Sequence, residues 1–464
     1  MTYYRRVGEV PPTRHTQHRD AEGRLRFEEL MGEEGFSSDS SLLYHRGVPS
    51  ALVDSQVWEL ADQRRVPNHP LKSRHLRLHD LFVAGETGDA VEGRRLLLAN
   101  NDVRLSYVVT GVDPSPLYRN AIGDECVYVE SGGGVLESVF GAVPFRSGDY
   151  VVIPRATTHR WVPNQSCRLF AVEANSHIHP PRRYLSRFGQ LLEHAPYCER
   201  DLHGPTEPLV VEGEDVEVLV KHRTSAGVVG TRMTYATHPF DVVGWDGCLY
   251  PYTFNIDDFM PITGKVHQPP PVHQVFEGHN FVICNFLPRK VDYHELAVPV
   301  PYYHSNVDSD EVMFYVGGDY EARKGSGINV GSISLHPGAT RTVPSPRRSR
   351  RRWAWTSSTS RPSWSTPSPP RPVRGRARRR GPGLCLDLGR TRSRGWRLAG
   401  GVQQLLTESA LGACRVGAGC MLSRRGGRAE SAPGAQGWST SADSVAAKRR
   451  LGGCSAPTRQ ACTG

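Results

Sequence analysis

Residues 339–464 of this 464-residue chain contain no Tyr, Phe, Ile, Asn or His. A segment without those side chains has little from which to build a packed core, so it is expected to be disordered. Acidic residues are scarce there too: the segment holds 4 of the 47 Asp and Glu but 25 of the 57 Lys and Arg, and all of those 25 except Lys448 are Arg. Subtraction leaves 32 basic and 43 acidic residues in 1–338, so the formal charge is −11 for the body and +21 for the tail, and the net +10 describes neither. A basic arm ordinarily points to nucleic acid, because Lys and Arg gain affinity by releasing counterions from phosphates. An arm selected for that task is expected to mix Lys with Arg, and no nucleic-acid partner is expected here.

The chain also lacks any Cys-x-x-Cys pair, and five of its ten cysteines, Cys126, Cys167, Cys198, Cys248 and Cys284, fall in the body. That usage fits a reducing compartment, with cysteine serving as a small core residue. No apolar run reaches membrane-spanning length, and the opening Met1-Thr-Tyr-Tyr-Arg-Arg has no apolar leader region. A cytoplasmic, soluble protein with no membrane partner is the expectation.

What the body does have is a succession of short β-branched runs bounded by Gly, Pro and Asp. Leu96–Thr110, Glu125–Glu130, Tyr150–Pro154, Arg168–Glu173, Val216–Lys221 and Phe281–Phe286 all read as strands. Helical periodicity is weak, and Arg183–Glu193 is the best candidate for a short helix. The expected fold is therefore mainly β, a sandwich or jelly roll with few short helices. Within it, Gly148-Asp-Tyr-Val-Val-Ile-Pro-Arg-Ala-Thr-Thr-His159-Arg-Trp resembles the second conserved segment of cupin domains. The companion stretch Gly123–Glu130 has no His-x-His pair, so this half is expected to be cupin-like without metal, with His159 a structural histidine.

The chemistry-bearing stretch is 240–337, rich in His, Tyr, Asp and Pro. Pro299-Val-Pro-Tyr-Tyr-His304-Ser-Asn-Val-Asp-Ser-Asp-Glu311 places an imidazole and a carboxylate at the two ends of a tight loop that feeds a strand. Such a pair is two-thirds of a two-His-one-carboxylate iron site, which leaves coordination positions open for substrate and oxygen. The spacing alone is equally that of a polar surface turn.

A series of ordered segments is more specific. Phe240-Asp-Val-Val-Gly-Trp-Asp-Gly247, Pro251-Tyr-Thr-Phe-Asn255, Phe259-Met260, Pro301-Tyr-Tyr-His304, Asp319-Tyr-Glu-Ala322 and Gly331-Ser-Ile-Ser-Leu-His336 follow one another as they do in homogentisate 1,2-dioxygenases. The chain resembles that family from residue 1 to about 338, most strongly from 240 onward. The resemblance implies a double-cupin-like fold and an Fe(II)-dependent enzyme that uses O2 as co-substrate to open the ring of homogentisate. The product would be maleylacetoacetate, in tyrosine and phenylalanine catabolism. It implies His304 and Glu311 as iron ligands, with Asp310 a competitor for Glu311. It also implies His267 as the catalytic base, with His273 the nearby alternative, and Tyr320 and His336 as substrate contacts. A neutral imidazole in that place would take the ring hydroxyl proton as the phenol binds. The family's oligomers are trimers or hexamers, and its partner is a small aromatic substrate.

The pattern breaks after His336. Where the family has a third ligand, the second His of a segment like Gly-Gly-His-Pro-His-Gly-Pro-Gln, this chain reads Gly338-Ala-Thr-Arg-Thr342-Val-Pro-Ser345 and places Thr342. Threonine does not replace a neutral imidazole on iron. Deleting one G from codons such as GGC GGC CAC CCG CAC GGT CCC CAG converts the family segment into Gly-Ala-Thr-Arg-Thr-Val-Pro. The same shift yields an Arg-, Pro-, Gly- and Ser-rich tail from GC-rich DNA. An authentic Arg-rich extension does not explain why the ligand is lost where the composition changes.

The expected organisation is an N-terminal β-rich domain at 1–235 with a degenerate cupin motif, an incomplete catalytic cupin-like domain at 236–338, and the tail at 339–464. The expected activity is impaired for want of the third ligand, with His336 a conceivable substitute. Two other functions stay open: a gentisate-type dioxygenase of a different aromatic diol, and a non-catalytic cupin-like binding protein.

Overall fold

The computed structural model describes residues 3–82, 85–287, 294, 296–298, 303–317, 327–342, 383–388 and 397–399. Among them every regular element is a strand or a one-turn 3-10 segment, and no α-helix occurs. The fold is mainly β, as expected. Two of its sheets form the centre. A seven-stranded sheet runs in the order Gly141–Arg146, Gly133–Ser138, His159–Pro163, Tyr118–Asn120, Val216–Thr224, Gly227–Tyr235 and Leu52–Trp58. An eight-stranded sheet contains Tyr252–Asn255, Asp149–Ile153, Glu125–Ser131, Arg168–Ala174, Val103–Val109 and Arg95–Ala99 in that order, followed by Arg397–Ala399 and Arg65–Pro67.

The central strands of the eight-stranded sheet are buried on both faces, which is why they read as nearly continuous apolar runs rather than alternating ones. Alternation is still present in where the residues go. Val127, Val129, Val151, Ile153, Leu169 and Ala171 pack with Leu136, Phe145 and Trp161 of the seven-stranded sheet. Cys126, Tyr128, Tyr150, Val152, Phe170 and Val172 share the opposite core with Phe276, Ile283, Val312, Phe314, Ile333 and Leu335. These last belong to a six-stranded sheet, ordered Gln274–Gly278, Phe281–Phe286, Gly383–Leu388, Asp310–Tyr315, Ser332–His336 and Arg74–Arg77. A five-stranded sheet joins Arg5–Gly8, Val242–Gly247, Ser40–His45, Leu25–Gly32 and His18–Arg19.

Three local expectations are corrected. The stretch 96–110 is two antiparallel strands, because Asn100 Oδ1 accepts from the backbone N–H of Asp102 (2.8 Å) and Val103 (2.9 Å) and turns the chain. The proposed helix at 183–193 is one 3-10 turn, Arg182–Tyr184, followed by a tight loop. In that loop Leu185 bridges Leu191, and Gly189 sits at φ +86°. Within the tail, Gly383–Leu388 and Arg397–Ala399 pair as strands. The first of these alternates Leu384, Leu386 and Leu388 with Cys385 and Asp387, a period-2 pattern suited to a strand. The expectation for the remainder of 343–464 lies outside the described residues.

Candidate metal and substrate site

The candidate site is carried by the hairpin Asp310–Tyr315 and Ser332–His336. Its register pairs Glu311 with His336, Met313 with Ser334 and Tyr315 with Ser332. Cross-strand partners share a face, so the hairpin has an apolar side and a polar side. Val312, Phe314, Ile333 and Leu335 are all 2 % exposed or less and pack on the central sheet. Phe314 stacks on Phe170 at 4.7 Å and meets Tyr107 and Tyr128 edge-on. That packing fixes where Glu311 and His336 lie on the other side.

The polar side is a connected row. His336 Nε2 is 2.9 Å from Ser334 Oγ, which is 3.2 Å from the Tyr315 hydroxyl. The neighbouring strand adds His75, which is opposite Ser334 and 3.0 Å from Ser332 Oγ. Burial, assisted by the nearby Arg77 cation, holds the His75 ring below its ordinary pKa, which favours neutral imidazole. His75 escaped the sequence reading because only long-range strand pairing brings it here.

His304 lies on the extension of the same hairpin. His304–Ser305 pairs with Arg341–Thr342, and His304 stands directly opposite Thr342. Between the two paired stretches, Ala339 N–H donates to Asn306 O at 2.8 Å and Gly338 N–H donates to Asp310 Oδ1 at 2.6 Å. Asp310 thus closes the turn with its carboxylate, while the adjacent Glu311 points to the other side of the strand. Of the candidate bases, His267 is exposed, whereas His273 is 4 % exposed with its ring 4.8 Å from Phe286. Tyr320 lies outside the described residues. Among the described residues, His304, Glu311 and His336 do not bring three ligand atoms within 4.8 Å of one another.

In sequence the chain is similar to dioxygenases. A Saccharolobus solfataricus protein named as a dioxygenase is 38 % identical over 355 residues, covering 75 % of this chain and 88 % of its own length. The homogentisate 1,2-dioxygenase of Emericella nidulans is 25 % identical, over 63 % of this chain and 68 % of its own. That of Bradyrhizobium diazoefficiens is 26 % identical, over 71 % and 76 %.

The chain belongs to the homogentisate 1,2-dioxygenase-like family.

No family model matches it. Among solved structures, a cupin 2 conserved barrel domain protein from Leptotrichia buccalis aligns over 68 % of this chain and 96 % of its own, at 9 % identity and a TM-score of 0.24. A likeness that low adds nothing to the strand pairing itself. No helix of the described residues is long and apolar enough to cross a membrane.

Among the described residues, one other cluster brings ligand types together from segments far apart in sequence. Glu33, Asp124 and His177 place their ligand atoms within 4.8 Å of one another. His177 Nδ1 is 3.1 Å from Glu33 Oε1 and 3.2 Å from Asp124 Oδ1. Hydrogen bonds to Asp124 and then Glu33 push the His177 pKa up to about 10, so the ring is an imidazolium. Without a metal the cluster is an ion-pair clasp between distant segments, and its three ligand atoms also lie close enough together to hold a metal ion. His159 of the degenerate cupin motif is fully buried, with Nδ1 3.0 Å from Thr157 O and its ring edge-on to Tyr118.

Proposed function

We propose that this chain is an aromatic-ring-cleaving dioxygenase of the homogentisate type whose iron site, as the sequence stands, is incomplete. The pairing of His304 with Thr342 supports that reading: a threonine occupies the strand position facing the first candidate ligand. In the proposed assignment His304 and Glu311 are iron ligands and His336 contacts the substrate from the polar row with Ser334 and Tyr315. His267 is the base, and His273 its alternative. Iron would supply a binding place for the phenolate and for O2. The same proposal takes the chain as cytoplasmic, assembled as a trimer or hexamer, and divided at 235/236 and 338/339.

The test compares the chain as written with a frame-restored version carrying His-Pro-His after Gly338. Iron per chain and oxygen uptake with homogentisate are measured for both. Expected are sub-stoichiometric iron and no homogentisate-dependent uptake for the first, and one iron per chain with rapid uptake for the second. Full iron and equal uptake in the chain as written would refute the impairment. A frame-restored chain that binds iron and ignores homogentisate would refute the substrate. A second reading, a dioxygenase of another aromatic diol, is favoured by one observation: the 38 % identical relative is named for no substrate, while the two homogentisate enzymes stand at 25 and 26 %. Parallel uptake assays with gentisate separate the two.

A further inference from the structure

Between the seven- and eight-stranded sheets, far in sequence from the candidate iron ligands, lies a buried group of charges. Strand register sets Glu125 opposite Glu173, and Glu173 opposite Arg104, in one row across three strands. Two carboxylates placed side by side repel one another unless cations hold them. Three cations do so. Arg94 Nη1 donates to Glu125 Oε2 at 2.8 Å and to Glu173 Oε1 at 3.1 Å. Lys221 Nζ donates to Glu173 Oε2 at 2.5 Å, and Arg104 Nε lies 3.5 Å from the same oxygen. Asn120 and Tyr118 complete the hydrogen bonding of Glu125 at 2.8 and 3.1 Å.

The charges do not balance. Arg94, Arg104 and Lys221 against Glu125 and Glu173 leave one positive charge over, at side chains 11 % exposed or less. Two donors are also left over: Arg94 Nη2 and Arg104 Nε are buried without a hydrogen-bond acceptor. Both arginines and Lys221 line a chamber of about 50 Å³ with Tyr118, Ser106 and Glu173. The exposed carboxylates Glu59 and Glu92 also line it, where solvent screens them. Water in the chamber could accept from the free N–H groups, but it would leave the buried charge uncompensated, which is the costlier deficit. A small anion answers both.

We propose that this chamber between the seven- and eight-stranded sheets binds one small monovalent anion, of chloride or formate size, held by Arg94 and Arg104. The site is independent of the iron ligands and of the reading given to them.

The experiment melts the full chain at constant ionic strength in sodium chloride, sodium formate or sodium gluconate, the last too large for the chamber. A ligand that binds only the folded state raises Tm with its concentration, here by roughly 2–5 °C for each tenfold above half-saturation. Expected is such a rise in chloride, formate or both, relative to gluconate, and its disappearance in Arg104→Gln. A rise in chloride identifies a halide site, and a rise in formate alone a carboxylate site. Equal melting in the three salts, or an unchanged anion dependence in Arg104→Gln, overturns the proposal. If Arg104→Gln does not fold, crystals of the unsubstituted chain soaked in bromide decide. An anomalous peak within hydrogen-bonding distance of Arg94 Nη2 supports the site; no peak there, together with no formate density there in a parallel formate soak, overturns it.

Discussion

Phe314 is the residue through which the candidate site is tied to the rest of the protein, and Phe314→Ala tests that tie. The side chain is 1 % exposed, stacks on Phe170 at 4.7 Å and touches Tyr107 and Tyr128 edge-on. Truncating a buried phenylalanine removes the transfer energy of its ring and leaves a cavity, typically at a cost of about 3–5 kcal/mol. With three aromatic neighbours fixed in the central sheet, little collapse is available, so a value near 4 kcal/mol is expected, or a fall in Tm of roughly 8 °C. Met313→Ala serves as the comparison. It is one residue away, half-buried, and on the polar side of the hairpin, so its expected cost is about 1 kcal/mol. Urea unfolding of both variants gives the two numbers. If Met313→Ala costs as much as Phe314→Ala, the faces have been assigned wrongly and Glu311 does not lie where the register puts it.

Two further predictions concern the frame around the site. The His177 clasp has a folded pKa of about 10 against an ordinary 6.5, so its stabilisation is fully present below about pH 6.5 and is lost as pH rises through 10. Urea unfolding between pH 6 and 10 should show that decline, and His177→Gln should flatten it; an equal slope in both proteins would refute the clasp. Gly244→Ala should cost roughly 1–3 kcal/mol, because an added Cβ would lie 2.3 Å from Glu9 O and 2.4 Å from Glu9 N. A neutral result in the same unfolding assay would mean that the N-terminal strand is not docked against Val242–Gly247.

The strands that were legible in the sequence are those buried on both faces. Glu125–Ser131, Asp149–Ile153, Arg168–Ala174 and Phe281–Phe286 appear within a residue of where the β-branched runs placed them, since a strand walled in on both sides is predominantly apolar. The segment 183–193 forms no helix although Leu185, Phe188 and Leu192 stand at helical spacing, because Gly189 turns the chain at φ +86° and Ser186 N–H donates to Gln190 O at 2.7 Å. In the candidate site His304, Glu311 and His336 come from the resemblance to the family, and the strand register puts them on one hairpin. His75 and the Glu33, Asp124 and His177 clasp were not legible, since each depends on pairing between segments far apart in sequence. Nor could residue types alone show that Asp310 is engaged in the turn through Gly338.

The two-faced hairpin also dictates which changes in chain length the site can survive. Within Asp310–Tyr315 an added or missing residue exchanges the faces, sending Phe314 outward and Glu311 toward Phe170. Between His304 and Asp310 the chain is a turn held by Asn306 and Asp310, and there a residue can come or go without disturbing either paired stretch. Relatives that differ by one residue between the imidazole and the carboxylate should therefore differ inside 306–309, keeping both side chains in place while the loop alone changes its path.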